Sequence, residues 1–162
     1  MESYRVQKIQ ARVVISVPPH PPEERVLFLS PYAQTHDGPE TVSDLLTDMK
    51  RFLPALSVEK GVYLVRTEAI RWLKIGDPEQ AEWRFGESFM GVPHARIRCE
   101  FSDGEALEGT LNAVAPPGAQ RVLDVLNLQR GFLHLMTSAG LHLVNRGQVC
   151  RVFILEDTHG GT

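Results

Sequence analysis

Gly38-Pro39-Glu40-Thr41-Val42-Ser43-Asp44-Leu45-Leu46-Thr47-Asp48-Met49-Lys50-Arg51-Phe52-Leu53 and Gly118-Ala119-Gln120-Arg121-Val122-Leu123-Asp124-Val125-Leu126-Asn127-Leu128-Gln129-Arg130-Gly131-Phe132-Leu133 are one segment written twice, aligned without a gap 80 positions apart. Gly, Val, Asp, Leu, Phe and Leu are identical at equivalent places, and Lys50 answers Arg130. Apolar coincidences are common in any chain, but a Gly, an Asp and a Phe held in one register mark a duplicated structural unit. After one residue is dropped, the match resumes 79 positions apart: Val62, Leu64 and Val65 stand against Leu141, Leu143 and Val144, and Ile70, Leu73 and Ile75 against Val149, Val152 and Ile154.

Working outward from the repeat, each copy has the same coarse anatomy. Val13, Ile15 and Val17 alternate with Val14 and Ser16, then the turn-rich Pro18 to Pro22 leads into the apolar run Val26 to Leu29. In the second copy Ile97, Cys99 and Phe101 alternate with Arg96, Arg98 and Glu100, and Ser102-Asp103-Gly104-Glu105 turns the chain into 106 to 114. Both patterns predict hairpins. A short helix follows near 41 to 49 and 121 to 129, then three short strands at 52 to 58, 61 to 67 and 69 to 75, and again at 132 to 138, 140 to 145 and 148 to 155. The expected fold is mainly β with short helices: β-β-α-β-β-β twice, as two tandem five-stranded barrels packed as a pseudo-symmetric pair. Gly76-Asp77-Pro78 and Gly91-Val92-Pro93 set the boundaries, giving a first unit at 1–76, a connector at 77–93 and a second unit at 94–162. Trp83, Phe85 and Phe89 make the connector too aromatic for a solvated tether, so it is expected to pack against the units. A unit of this size buries a small core, which is a physical motive for pairing two.

Charge narrows the function classes. The 162 residues carry 17 Lys and Arg against 20 Asp and Glu, a formal charge of -3. Residues 1 to 80 hold 10 basic and 11 acidic side chains, and residues 81 to 162 hold 7 and 9, so neither half is a basic lobe. Nucleic-acid binders neutralise phosphates with clustered Lys and Arg, and this chain has no such excess. No apolar run reaches membrane-spanning length and the N-terminal residues lack a signal-peptide pattern, so the expected location is the cytoplasm.

Asp103-Gly104-Glu105 before Leu107-x-Gly109-x-Leu111, Pro116-Pro117-Gly118, Val122 to Asn127, Phe132-Leu133 and Leu143-Val144-Asn145-Arg146 resemble a bacterial family of small Sm-like β-barrel domains of unknown function. The likeness covers the second unit and, more weakly, the first, where Thr47 replaces the Asn and the proline-rich turn replaces Asp-Gly. It implies an Sm/SH3-like barrel and carries no activity with it.

Candidate chemistry is thin. Asp44 and Asp124 fall in the first helical turn, and Thr41-x-x-Asp44 is a capping-box pattern, which makes both carboxylates structural. The histidines at 20, 36, 94, 134, 142 and 159 have no metal-ligand spacing. His134 and His142 are read as partly exposed strand residues able to face each other across a hairpin. Cys99 and Cys150 lie on the first and last strands of the second unit and are read as a pair of buried reduced thiols, with a redox switch as the lesser reading. Phosphate-binding glycine motifs are absent, and Arg66 and Arg71 have no downstream Asp-x-Ser-x-x-Gly of a cyclic-di-GMP-binding domain.

With no catalytic constellation and no cofactor motif, the reading is a non-enzymatic cytosolic adaptor or regulatory protein that binds a partner protein through loops or an edge strand. Candidate contacts are Tyr32, His36 and Asp37 in the loop 30 to 40, its counterpart 113 to 120, and the aromatics Trp72 and Trp83, although Trp72 also suits a place in the core or between the units. Edge strands additionally offer homo-oligomerisation. The alternative is single-stranded RNA binding by Arg96, Arg98, Arg130, Arg146 and Arg151, and a further one is a small-ligand pocket between the units.

Overall fold

In the computed structural model, which describes residues 7–81, 94–112, 121–128 and 131–157, the protein is mainly β: ten antiparallel strands joined by short helical turns. In chain order they are β1 (Ile9–Ser16), β2 (Glu23–Leu29), α1 (Val42–Leu45), β3 (Phe52–Ser57), β4 (Gly61–Arg66), β5 (Trp72–Ile75), β6 (His94–Phe101), β7 (Ala106–Asn112), α2 (Val122–Leu128), β8 (Phe132–Thr137), β9 (Gly140–Asn145) and β10 (Val149–Asp157). Three-residue 3-10 turns precede β5 and β10 at Thr67–Ala69 and Arg146–Gln148.

The period-2 patterns become strands with one face inward. On β1, Ala11, Val13 and Ile15 are buried while Gln10 and Arg12 face out; on β6, Ala95, Ile97, Cys99 and Phe101 are buried while Arg96 and Arg98 face out. The first helix is only one turn long. It is held by the expected capping box: the Asp44 amide donates to Thr41 Oγ1, and the Thr41 amide donates to Asp44 Oδ2 at 2.8 Å.

The strands form one open sheet in the order β10-β6-β7-β8-β9-β5-β1-β2-β3-β4. Two separate closed barrels are not what this pairing describes. Its first five places follow the same succession as its last five, since β10-β6-β7-β8-β9 runs as β5-β1-β2-β3-β4 does. The two runs are stitched by an antiparallel pairing of β5 with β9, in which Trp72, Leu73 and Lys74 stand opposite Val144, Leu143 and His142.

Two cores lie on opposite faces of the β8–β9 hairpin. Register puts Leu133, Leu135, His142 and Val144 on one side and His134, Met136, Leu141 and Leu143 on the other. Leu133, Leu135 and Val144 enter the second-half core with Ile97, Cys99 and Phe101. Leu141 and Leu143 instead enter the first-half core, beside Leu27, Leu53, Ile70, Leu73 and Ile75. The second half therefore donates two leucines to the core of the first. Each fully buried leucine contributes about 1.5–3 kcal/mol of hydrophobic stabilisation.

Polar contacts lock the same junction. Asn145 Nδ2 donates to the Glu68 and Ile70 carbonyls at 3.1 and 2.8 Å. Arg71, buried, donates to Asp103 Oδ2 at 2.9 Å and lies over the Phe101 ring. The connector begins as a 3-10 turn at Pro78–Gln80, and Ala81 is buried with its carbonyl accepting from the Ser43 amide at 2.9 Å. The remainder of the connector, with Trp83, Phe85 and Phe89, lies outside the described residues.

Candidate functional site

An open sheet ends in two strands, each with one row of backbone N–H and C=O groups that no strand pairs. Among the described residues those ends are β4 and β10. Unpaired edges usually carry charge, proline or a covering element to prevent strand addition. Besides Arg66 on β4, and Arg151, Glu156 and two register shifts on β10, these two carry exposed apolar side chains. Val62 and Leu64 on β4 are 59% and 65% exposed, and Phe153, Ile154 and Leu155 on β10 are also exposed. Phe52 on β3 and Val58 beside the β3–β4 turn extend the first patch.

The exposure has a clear reference inside the molecule. Leu141 and Leu143, which match Val62 and Leu64 in the sequence repeat, are buried in the first-half core, where Leu143 stands opposite Leu73 of β5. Leu73 and Ile75 are 0% and 5% exposed in the first-half core, Leu73 opposite Leu143 of β9, whereas their counterparts Val152 and Ile154 are half-buried and 46% exposed. The free edges thus resemble the two faces of the β5–β9 junction with the mate removed. An open groove of about 370 Å³ runs next to β4, lined by Ile15, Val17, His20, Tyr63, Leu64 and Ala69 among others.

The residues singled out in the sequence are dispersed. Tyr32 is 79% exposed and borders an open groove of about 350 Å³ with Ser30, Gln34, Glu40 and Arg51. Asp37 is exposed. His36 is not available as a contact, because its side chain is 3% exposed and its Nε2 lies 2.7 Å from Asp44 Oδ2, bracing the loop against the helix cap. Trp72 is half-buried at the β5–β9 junction, packing edge-on against His142 with ring centroids 4.9 Å apart. Trp83 and the loop 113 to 120 lie outside the described residues.

The arginine set is likewise divided. Arg96 pairs with Glu108 at 2.7 Å; Arg98 and Arg151 both pair with Glu100, at 3.3 and 2.7 Å. Hydrogen bonds from Arg151, and then Arg98, hold the Glu100 carboxyl below its usual range. Arg146 donates to the Leu126 carbonyl at 2.8 Å, and Arg130 lies outside the described residues. Arg98 and Arg151 thus share one carboxylate, and Arg146 meets a neutral carbonyl rather than an acid.

Two expectations about single residues are corrected. His134 and His142 are buried, at 9% and 4% exposure, and they project from opposite faces of the hairpin, so they do not share a metal. Burial pushes the His134 pKa down to about 4 and lowers that of His142 as well. Of the cysteines, Cys99 alone is buried, and burial raises its thiol pKa to about 11. Cys150 is exposed at a β-bulge, its Sγ 3.2 Å from the Glu100 carbonyl. Both thiols are free.

Among the described residues, no group of three or more His, Cys, Asp or Glu is placed to hold a metal ion, and no helix is long and apolar enough to cross a membrane. The grooves beside β4 and Tyr32 and a third of about 400 Å³, lined by Arg12, Glu24, Arg25, Lys74 and neighbours, are all walled by first-half residues, so none of the three is an inter-unit pocket. What sequence reasoning missed is which apolar residues are exposed. Val62 and Leu64 read like Leu141 and Leu143, and only the pairing order distinguishes them. Compared with protein-family models, curated proteins and solved structures, the chain matches none.

Proposed function

We propose that this protein is a non-catalytic cytosolic adaptor, built from two Sm-like five-stranded units, that binds protein by strand addition at the free edges of its sheet. The observation that carries the reading is the coincidence of unpaired backbone and exposed apolar side chains on β4 and β10. An added strand satisfies the backbone row and buries alternate apolar residues, combining affinity from the main chain with selectivity from side-chain pockets. The repeated segment and the shared succession of strands in the two halves support the duplicated unit.

The test is affinity capture from the native cell with the wild-type chain and with Leu64→Arg and Ile154→Arg, two exposed positions on the two edges. Proteins retained by the wild type and lost from an edge variant support the reading. Retention of RNA without protein, or the same proteins on all three chains, overturns it.

A further inference from the structure

Resting on that edge-binding reading, we infer that the strand taken up by each edge is the opposite edge of a second copy: β10 of one chain pairs with β4 of the next, repeating between copies the β5–β9 pairing found within each. The four strands are equivalent in pairs. β5 and β10 occupy the same place in their runs of five, as do β9 and β4. Within the chain these two kinds of strand pair with each other, and what remains unpaired is one of each kind.

Carrying the register across the repeat defines the contact. Trp72, Leu73 and Lys74 oppose Val144, Leu143 and His142; shifting by 79 positions in each direction sets Arg151, Val152 and Phe153 opposite Val65, Leu64 and Tyr63. The same register continued puts Ile154 opposite Val62, an apolar pair. No like charges meet along this stretch.

The cores make the match specific. Leu141 and Leu143 leave their own half to complete the core of the first. Among the described residues, the core of the second half, around Ile97, Leu133 and Val144, receives Trp72 from the first half but no pair of leucines or valines from β4. Val62 and Leu64, the equivalents of the donated leucines, are the exposed large apolar residues of β4. Docked on β10, Leu64 lies beside Val152, which already packs against that core. Among the described residues, one chain thus presents an acceptor edge on β10 at one end and exposed donor residues on β4 at the other.

Because the two surfaces differ, the contact is heterologous, and successive copies either close a ring or extend a filament. The mating is reciprocal in composition yet directional in sense. A variant spoiled on one edge has no partner of its own kind, whereas two variants spoiled on different edges share one intact junction.

The experiment is sedimentation equilibrium and native mass spectrometry on the purified full chain across the micromolar range, with Leu64→Arg and Ile154→Arg alone and mixed in equal amounts. Equal thermal midpoints of the dilute proteins establish that the variants fold. The expected result is a wild-type mass above the 18.1 kDa of one chain, each variant at one chain's mass with self-association weakened at least about tenfold, and the mixture forming species of two chains, one of each variant. A wild type that stays at one chain's mass, or a mixture that stays monomeric, overturns the inference and leaves the edges open to another protein. Assembly unaffected by either substitution removes both the inference and the edge-binding reading.

Discussion

Acidification tests the double-sided burial of the β8–β9 hairpin through one residue. His134 is 9% exposed, lies beneath α1 with its Nε2 3.4 Å from Ser43 Oγ, and has its pKa lowered by burial to about 4 from an ordinary 6.5. A depressed histidine pKa means that the unfolded chain takes up the proton before the folded one does. The contribution of neutral His134 is therefore fully present above pH 6.5 and is lost progressively as pH falls toward 4. Each pKa unit corresponds to about 1.4 kcal/mol, so between pH 7.5 and pH 4 the loss is about 3 kcal/mol. The perturbation that isolates it is His134→Leu, and the assay is urea unfolding of both proteins at a series of pH values at low protein concentration. Subtracting the two curves cancels the carboxylates and the other histidines, which both chains share. The difference in unfolding free energy should move toward the variant by about 3 kcal/mol over this window, with most of the change below pH 6. A constant difference would refute the burial argument for this residue.

Three further outcomes follow from particular contacts. Leu143→Ala, fully buried between the halves, should cost about 2–5 kcal/mol in chemical unfolding, whereas Leu64→Ala at the matching exposed position should stay within about 0.5 kcal/mol in dilute solution. Gly109→Ala drives a Cβ into the Met136 carbonyl oxygen, so β7 and β8 must separate where they pair, and the thermal midpoint should fall by several degrees, read by circular dichroism. Asn145→Ala removes both hydrogen bonds to the Glu68 and Ile70 carbonyls inside the junction and should cost about 1–3 kcal/mol, while Asn145→Asp should be at least as damaging, because a carboxylate cannot donate to them.

Much of this architecture is legible in the sequence. The alternation at Val13 to Val17 and Ile97 to Phe101, the helix start at Thr41 and Asp44, and the offset between Val62 to Val65 and Leu141 to Val144 locate the strands to within a few residues, because period and capping are local properties of the chain. Burial at the junction is not legible, since it depends on which strand of one half lies beside which strand of the other. Leu64 and Leu143 have the same local pattern and opposite exposures for that reason. The continuous apolar run from Phe132 to Met136, interrupted only by His134, and the run from Leu141 to Val144, interrupted only by His142, do carry a signal: strands apolar on both faces are buried on both faces. By that rule the two histidines belong inside. Cys150 escapes because it sits at a bulge, where the alternation that would assign it a face is broken.

Amide hydrogen exchange of the purified wild-type chain, followed residue by residue at low and high protein concentration, tests most directly whether β4 and β10 are the working surface and mate with each other between copies. If they do, every second amide along Gly61–Arg66 and along Val149–Asp157 slows at least about tenfold at high concentration, while the interior strands β1 and β6 keep their rates. Edge amides that exchange at the same rate at both concentrations, or protection that appears in the loop 30 to 40 instead, would contradict it.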